Sequence, residues 1–399
     1  MTALLTDAAV DALRAATPGT RTTIHFNHAG ASLPSAATLG AIHAHLEREA
    51  TRGPMEAGVA AAEQSEQARV LAATLLNAGP DEIALTGGTS QGWGSAFAAL
   101  GRWRAGERML VSRHEWGGNL AVMQLAAREA GASVETIPCA PDGTVDPAAL
   151  EAMLDERVRL IALTWLPANG GLINPAEAVG QVARRHGIPY FVDAAQAVGQ
   201  LPVDVARLGC DVLSAAGRKA LRAPRGTGLL YVRRGFLPRM ATPAWVDRHA
   251  APLDAHGEPR LRQDAGRFEA AEASLALRCG LANALREALA IGLPAIRARI
   301  LATAAHLRAE LAAVAGVTVL DAGTERSGLV AFQVAGHEPA ALQRALAAQG
   351  ISIGTSGIPY TPLDMRARGL DQVARASVSY LTTVEEVGRL VAALRGLPR

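Results

Sequence analysis

The feature that most constrains the fold of this 399-residue chain is a rhythm repeated between residues 80 and 232. A short apolar run, a glycine-rich turn and an amphipathic stretch follow one another several times. The runs are IALT (83–86), RMLVS (108–112), LIALTWL (160–166), IPYFVD (188–193), DVLSAA (211–216) and GLLYV (228–232). Strands that are apolar throughout are covered on both faces, and the intervening segments have helical spacing and end in glycine. The pattern predicts an α/β domain with a largely parallel sheet.

The pattern changes after Gly292-Leu293-Pro294. Beyond this point the spacing predicts helices at 295–313, 339–348 and 384–396, and strands at 317–320, 329–334 and 374–380. Thr383 and Glu386 have the spacing of a capping box at the start of the last helix. We therefore divide the chain into a large α/β domain at 18–292 and a smaller α+β domain at 293–399. An N-terminal helix at 1–17 is expected to belong to the smaller domain.

Composition excludes several classes of partner. Lys and Arg number 39 against 37 Asp and Glu, and no five like charges are adjacent, so neither a nucleic-acid-binding stripe nor a polybasic membrane patch is expected. No apolar run approaches the roughly 18 residues of a membrane span. The three cysteines lie far apart, which fits neither a disulfide framework nor a zinc cluster, so no metal site is expected. We expect a soluble, cytoplasmic protein with a small-molecule partner.

Ligands of parallel sheets bind outside the carboxyl ends of the strands, and the first unusual strand end is Gly87-Gly88-Thr89-Ser90-Gln91. Two glycines and two hydroxyl residues that lead into a helix could offer N–H groups to a phosphate. The same residues could equally form an ordinary strand-to-helix turn with Ser/Thr capping. The GxGxxG spacing is missing, which disfavours a nicotinamide site.

Asp193 closes the apolar run IPYFVD. A buried carboxylate needs a cationic or hydrogen-bonding partner, because burying it unpaired costs several kcal/mol. A protonated pyridine nitrogen would be such a partner. The alternative interpretation of Asp193 is a helix N-cap.

Lys219 follows the run DVLSAA, in a chain where lysine is rare. It is either a surface residue whose stem lies along apolar groups, or an amine held over a site. In the second case desolvation and nearby cations would lower its pKa and make it a Schiff-base nucleophile. It stands 26 residues after Asp193 and is expected one strand along in the same sheet.

These three strand ends, in this order, resemble the class V aminotransferases, which are fold-type I pyridoxal-phosphate enzymes. The similarity extends from FNHAGASLPS (26–35) to ARASVSYLTT (374–383). Its most specific block runs from FVDAAQ to GTGLLYV, at 191–232. The resemblance implies a large domain with a mainly parallel seven-stranded sheet, a small α+β domain, and a homodimer with the site at the subunit interface.

The resemblance also implies roles for individual residues. Lys219 would bind the aldehyde of pyridoxal 5'-phosphate and move the substrate α-proton. Asp193 would keep the pyridine nitrogen protonated. The other implied cofactor-binding residues are Gly88 and Thr89 at the phosphate, Trp116 on the ring face, Gln196 at the ring hydroxyl, and Arg218. Trp116 could also be a core residue at a helix start.

Arg375 falls on the arginine with which the family binds the substrate carboxylate, although it could equally be a surface arginine on an edge strand. Asn169 and His28 join it as implied substrate-binding residues. The family's hydroxyl residue near the phosphate is replaced by Ala216, so Arg218 and backbone N–H groups would take over part of the phosphate binding.

Cysteine desulfurases place a nucleophilic cysteine on the loop before this arginine, whereas residues 354–374 contain none. A persulfide mechanism is therefore disfavoured, and the flanking motifs resemble those of ergothioneine-type C–S lyases. We expect β-elimination from a cysteine-type or cysteine-sulfoxide amino acid. An aminotransferase or an epimerase of the same fold is the alternative. More remote alternatives are a pyridoxal-phosphate-binding protein without catalysis and a nucleotide-binding oxidoreductase.

Overall fold

The computed structural model describes residues 5–397, which form twelve strands and thirteen α-helices. The strands are β1 (Ile24–Phe26), β2 (Ile83–Thr86), β3 (Arg108–Val111), β4 (Ser133–Thr136), β5 (Val158–Thr164), β6 (Tyr190–Asp193), β7 (Val212–Ala216), β8 (Gly228–Val232), β9 (Val317–Val319), β10 (Leu329–Val334), β11 (Ile351–Gly357) and β12 (Gln372–Ser377).

The helices alternate with the strands in the first two thirds of the chain. They are α1 (Asp7–Ala15), α2 (Ala36–Arg52), α3 (Pro54–Leu76), α4 (Thr89–Ala98), α5 (Gly117–Ala130), α6 (Pro147–Ala152), α7 (Ala176–His186), α8 (Val205–Leu208), α9 (Leu275–Ile291), α10 (Leu293–Ala312), α11 (Pro339–Ala347), α12 (Pro362–Ala367) and α13 (Val384–Arg395). Among the described residues no single helix is long and apolar enough to cross a bilayer; α9 and α10 pass that test only as a pair bent by 80°.

Seven strands form a sheet in the order β2-β8-β7-β6-β5-β3-β4. The pairs among β7, β6, β5, β3 and β4 are parallel, whereas β8 is antiparallel to both of its neighbours. The predicted α/β class and the mainly parallel seven-stranded sheet are therefore confirmed. All six predicted apolar runs form strands of this sheet, and β4 is a seventh strand that we did not predict.

The sheet is covered on both faces, as its uniformly apolar strands predicted. In β2, Ile83 and Leu85 belong to one core cluster while Ala84 belongs to another on the opposite face. Successive side chains of a strand point to opposite faces, so each run supplies both clusters. Helices α5 and α7 end at Gly131 and Gly187, both in the left-handed conformation expected of a glycine C-cap.

The C-terminal part of the chain builds a second sheet of five strands in the order β1-β11-β12-β10-β9. Strands β9, β10 and β12 and helices α10, α11 and α13 lie close to their predicted positions, and the capping box between Thr383 and Glu386 is present. The prediction missed β11 and α12. The sequence of β11 is ISIGTSG, whose small and polar residues lack the alternation that indicates a strand.

The first strand lies in this second sheet, because β1 pairs in parallel with β11. Residues 24–26 were assigned from the sequence to the large domain at 18–292, so the structure places one short segment of that range with the C-terminal residues. The N-terminal helix contacts the same region through a salt bridge of 3.0 Å between Arg14 and Glu386. The division of the chain into two domains otherwise stays a prediction.

Candidate active site

The three unusual strand ends meet at one edge of the seven-stranded sheet. Gly87 follows β2, Asp193 ends β6, and Lys219 lies in the loop after β7. Asp193 pairs with Ser214 across β6 and β7, so the acid and the amine come from neighbouring strands, as predicted. Strand β8 begins at the same edge, with Gly228 opposite Thr86. The parallel sheet thus collects residues that lie up to 130 positions apart in the chain, roughly the distance from β2 to Lys219.

These strand ends surround a cavity of about 340 Å³, a volume typical of small-molecule sites. Its walls include all of the predicted cofactor-binding residues, namely Gly88, Thr89, Trp116, Asp193, Gln196, Arg218 and Lys219. A larger depression of about 430 Å³ lies at the opposite edge, near Val158 and Pro189, and contains none of them. The first cavity is therefore the candidate active site, because it alone of these two contains the predicted cofactor-binding residues.

Lys219 is the only lysine in the chain, so no other side chain offers a primary amine. It is buried, with 7% of its surface exposed, and its ammonium nitrogen lies 5.9 Å from the centre of the Trp116 ring. Burial lowers the pKa of Lys219 to about 7, the attraction of Asp193 opposes this, and Arg218 and Arg375 lower it further. A substantial fraction of the amine is therefore uncharged, and nucleophilic, near neutral pH.

Asp193 is a buried carboxylate with two defined hydrogen-bond donors. Its Oδ1 accepts from the backbone N–H of Ala195 at 2.9 Å, and its Oδ2 accepts from Nδ2 of Asn119 at 2.8 Å. Burial raises the pKa of Asp193, while Lys219 and the two donors favour the ionised form. The helix N-cap interpretation does not hold, since no helix begins next to Asp193. A buried acid facing a cavity needs a cationic group there, which a protonated ring nitrogen would supply.

At the other end of the cavity, Thr89 begins helix α4 and its Oγ1 is buried without a hydrogen-bond partner. The first N–H groups of a helix also lack partners within the helix, so this end offers donors to an anion. The loop lies directly on β8, because a Cβ at Gly228 would come within 2.7 Å of the Gly88 backbone. The absence of a side chain at Gly228 thus allows the Gly88 backbone to pack directly against β8. The unpartnered hydroxyl of Thr89 fits a role in binding a phosphate.

One side wall of the cavity is aromatic. Trp116 precedes α5, and its ring lies 5.6 Å from the ring of Tyr360, tilted by 35°. The backbone N–H of Gly117 donates to the carbonyl of Tyr360 at 2.7 Å. A Cβ at Gly117 would lie 2.3 Å from the carbonyl oxygen of Pro359, so only glycine permits this approach. The segment 357–361 is therefore held against the start of α5.

The predicted substrate-binding residues are placed differently from one another. Arg375 lies in β12 opposite Gly354, and its Nη1 donates to the carbonyl of Ala168 in the cavity wall. Its Nε is buried without a partner, and burial lowers its pKa to about 10. It is therefore a buried cation with donor capacity to spare, and the surface-arginine interpretation does not hold.

Asn169 and His28 do not form part of the cavity wall. Nδ2 of Asn169 donates to Oδ2 of Asp364 at 2.7 Å, and Nδ1 of His28 lies 3.0 Å from the hydroxyl of Ser32. His28 instead lines a separate small cavity, which it shares with Gln196. Arg375 does not line the main cavity either, but it donates to Ala168, which does; the side chains of Asn169 and His28 have other partners.

Sequence reasoning missed Glu115 and Asn119, which lie behind Asp193. The side chain of Glu115 is fully buried and accepts hydrogen bonds from Asn119 at 3.0 Å and from Thr164 at 3.1 Å. Their signal in the sequence is the i,i+4 pair within EWGGN, directly after an apolar strand. We considered only the tryptophan of that motif.

A buried amine of lowered pKa, a buried acid one strand away, and an unpartnered hydroxyl at a helix N-terminus define a site for an aldehyde cofactor that carries a basic ring nitrogen and a phosphate. These are the chemical groups of pyridoxal 5'-phosphate. The residues present therefore fit this cofactor, and the fold and the site together define the class of fold-type I pyridoxal-phosphate enzymes.

Comparison with known proteins agrees. The family model described as aminotransferase class-V matches residues 24–390, and the chain belongs to this family. A probable cysteine desulfurase of Xylella fastidiosa (strain 9a5c) is 30% identical over 382 residues, which cover 93% of this chain and 90% of that protein. The family assignment made from the sequence is confirmed, and with it the dependence on pyridoxal phosphate.

Two solved structures of a cystine C–S lyase, C-DES, superpose on the chain with a TM-score of 0.87. The one in complex with its reaction product cysteine persulfide is 27% identical and covers 96% of this chain and 100% of the other. The second, a lysine-to-alanine variant with glycine covalently linked to the cofactor, is 26% identical and covers 96% of this chain and 99% of the other.

Proposed function

We propose that the protein is a C–S lyase that cleaves a cysteine-type or cysteine-sulfoxide amino acid by β-elimination, without a persulfide-carrying cysteine. The observation that carries this proposal is the cavity itself, in which the only lysine of the chain faces a buried acid and no cysteine lines the wall. The likeness to C-DES, which is a cystine C–S lyase, supports the same reaction type.

When bound, pyridoxal phosphate supplies an electron-accepting ring conjugated to the substrate α-carbon. Asp193 then keeps the ring nitrogen protonated, because a buried carboxylate stabilises the cation that it faces. Lys219 would remove the α-proton of the bound substrate, and its lowered pKa suits an amine that must accept and return a proton near neutrality.

The other cavity residues hold and orient the cofactor. Thr89 and the first N–H groups of α4 would hold the phosphate, and Arg218, which lines the same cavity, would add a positive charge. Trp116 covers one face of the ring. Gln196 lines the same cavity as Asp193, and its Nε2 donates to the carbonyl of Ala29 at 3.0 Å; its amide would bind the ring hydroxyl.

Arg375 binds the substrate carboxylate. Its fork geometry suits a bidentate contact, and each charge-assisted hydrogen bond contributes about 1.5 to 3 kcal/mol. The unpartnered Nε of Arg375 and its influence on Lys219, whose pKa it lowers, support a carboxylate site next to the amine. Because Asn169 and His28 have other partners, we assign them no direct contact with the carboxylate in this arrangement.

Elimination breaks the Cα–H and Cβ–S bonds: the proton goes to Lys219, and the electron pair of the Cβ–S bond leaves with the sulfur, as a thiolate from a cysteine or thioether, a sulfenate from a sulfoxide or a persulfide from cystine. The released enamine is hydrolysed by water to pyruvate and ammonia. No sulfur acceptor is available in the cavity wall: Cys210 and Cys279 are buried, and burial raises the pKa of the half-buried Cys139. Thiols with a raised pKa are poor nucleophiles, so the sulfur product leaves in solution.

The proposal is tested with purified, cofactor-loaded protein and a panel of L-cysteine, L-cystine, S-alkyl cysteines and cysteine sulfoxides. Equal amounts of pyruvate, ammonia and sulfur product are expected from at least one sulfur substrate. Amination of an added keto acid without pyruvate release would instead assign an aminotransferase. Racemisation alone would assign an epimerase, and a coloured protein inert towards every amino acid would leave only cofactor binding.

We also propose a homodimer with the site near the interface. A second cavity of about 220 Å³ adjoins the first through Gly87, Gln91 and Thr227, and its outer wall is the segment 268–278. Nearby helix α3 exposes Met55 and Val59 at 75% and 80%. Exposed apolar side chains of this size favour burial against another copy. Light scattering coupled to size-exclusion chromatography should give twice the 41.4 kDa mass of one chain.

A further inference from the structure

Behind the ring-nitrogen site, two buried acids share one amide. Nδ2 of Asn119 donates to Oδ2 of Asp193 at 2.8 Å and to Oε1 of Glu115 at 3.0 Å. An amide nitrogen has two N–H donors, so both are used, one for each carboxyl group. The opposite orientation of the amide would place its oxygen against two acceptor oxygens, and the orientation is therefore fixed.

The two acids differ in what surrounds them. Asp193 faces the cation Lys219 and receives a backbone N–H as well. Glu115 is wholly buried among neutral groups: Thr164 donates to its Oε1, and its Oε2 lies 3.4 Å from the hydroxyl of Ser112. Burial raises the pKa of Glu115 to about 7, and the negative charge of Asp193 adds to the effect. The carboxyl group of Glu115 therefore keeps its proton up to near neutrality, whereas an exposed glutamate would already be ionised there.

We infer that Glu115 is a positioning residue: acting through Asn119, it fixes the orientation of Asp193 and keeps Asp193 ionised, and so holds the proton on the cofactor's ring nitrogen. A neutral Glu115 leaves the full negative charge on Asp193 opposite the ring. An ionised Glu115 would place a second negative charge behind Asp193 and draw a proton to that pair instead. The inference rests on the cofactor cavity and is independent of which reaction follows.

The titratable groups around this pair come from three elements. Tyr190 lies in β6, and its pKa is raised by burial and also by Glu115. Lys219 faces Asp193 from the loop after β7, and Arg218 and Arg375 act on Lys219. Neighbouring His114 is oriented elsewhere, with its Nε2 3.5 Å from Asp364. Asp193 is the charged group that raises the pKa of Glu115.

The decisive variant is Glu115→Gln, which reproduces the shape and the neutral state of the protonated acid. In apo-protein, an acid whose pKa rises from 4.5 to about 7 on folding stabilises the fold fully at low pH and loses that stabilisation as the pH rises through 7. The folding equilibrium constant of wild type, divided by that of the variant, should therefore fall about tenfold per pH unit between pH 4.5 and about pH 7. Above pH 7 it should stay constant. Denaturant titrations across pH measure it.

In cofactor-loaded protein, the absorbance of wild type should show a titration step near pH 7 that Glu115→Gln lacks. Glu129→Gln changes an exposed acid in helix α5, which begins two residues after Glu115; it is the matched control and should behave as wild type. A pH-independent stability difference would show that Glu115 only fills space and would overturn the inference. An absorbance titration that is the same in wild type and Glu115→Gln would also overturn it. So would a pH dependence of the free energy of unfolding that is lost in Asp193→Asn but kept in Glu115→Gln. The apo-protein measurement remains decisive even if no sulfur substrate is found.

Discussion

The two sides of the cavity are assembled in different ways. On the cofactor side, Thr89, Asp193 and Lys219 follow strands of a single sheet, and that sheet alone determines their spacing. On the substrate side, Arg375 comes from the second sheet and Tyr360 from the loop after β11, and both meet the first sheet only through contacts such as that of Arg375 with Ala168. The cofactor side is therefore set by local strand order, and the substrate side by the packing of two sheets.

This difference predicts two kinds of kinetic defect. Changes of Asp193 and Lys219 on the cofactor side should act on the chemical step and lower kcat, because their proposed roles are proton transfer and stabilisation of the ring nitrogen. Changes on the substrate side should act mainly on binding and raise KM. The following substitutions test this contrast, from the largest expected effect to the smallest.

Lys219→Ala should lower kcat by at least about 10³-fold, because it removes both the covalent attachment point and the proton-transfer group. Since this variant has no lysine at all, borohydride reduction should leave no cofactor fixed to the chain, whereas wild type should be labelled at residue 219 only. Mass spectrometry of the reduced protein checks this. Lys219→Arg keeps the charge and is the control that should also remain unlabelled. Labelling of either variant would contradict the assignment.

Asp193→Asn should lower kcat by about 10- to 150-fold, the equivalent of losing a 1.5 to 3 kcal/mol interaction with a charged group. The neutral amide has nearly the same shape but cannot stabilise a protonated ring nitrogen. Steady-state kinetics with one substrate measure the change. If KM rises and kcat stays constant, the acid belongs functionally to the substrate side and the contrast drawn above fails.

Arg375→Ala should raise KM by about 10- to 100-fold with a smaller change in kcat, because it removes the charge-assisted hydrogen bonds to the carboxylate. Arg375→Lys should recover only part of this, since an ammonium cannot make the paired contact of a guanidinium. Comparing an amino-acid substrate with its carboxamide separates the two effects. KM for the carboxamide should differ little between wild type and Arg375→Ala. If KM rises equally for the amino acid and its carboxamide, the carboxylate contact is disproved.

Tyr360→Ala should have the smallest effect, an increase in KM of about 2- to 10-fold, because an aromatic pair contributes about 0.5 to 1.5 kcal/mol beyond its buried area. Its ring supports Trp116 from the outside and is 42% exposed. Tyr360→Phe keeps the ring and should resemble wild type. A large loss of kcat in Tyr360→Ala would mean that the aromatic wall belongs to the chemistry.

The contrast also explains what could be predicted from sequence. The strand runs, the residues that gather around the main cavity and the family could be predicted, because apolar periodicity and strand-end chemistry lie within a continuous stretch of chain. Strand β1 could not be assigned to the second sheet, since its pairing with β11 joins residues more than 320 positions apart. Asn169 was implied as a substrate residue by resemblance alone, and its bond to Asp364 depends on a helix, α12, that no pattern indicated.

Glu115 and Asn119 were overlooked for a different reason. An acid next to an aromatic residue at a helix start reads as an ordinary solvated charge, and only the three-dimensional positions of β3, β5 and β6 show that the side chain is enclosed. Burial of a charged residue is a tertiary property, and it cannot be read from the local pattern.

Strand β8 runs against its neighbours, so the segment 217–227 leaves β7 and returns beside it at the same rim of the sheet. Both of its ends are hydrogen-bonded into the ladder, with Gly217 also joined to Thr227 through the backbone. A parallel successor would have required a long crossover and left the lysine on a tether that tolerates insertions. Here a single added or deleted residue would displace the amine from its partner acid, so variation in loop length, which most surface turns accept, should be incompatible with activity at this turn.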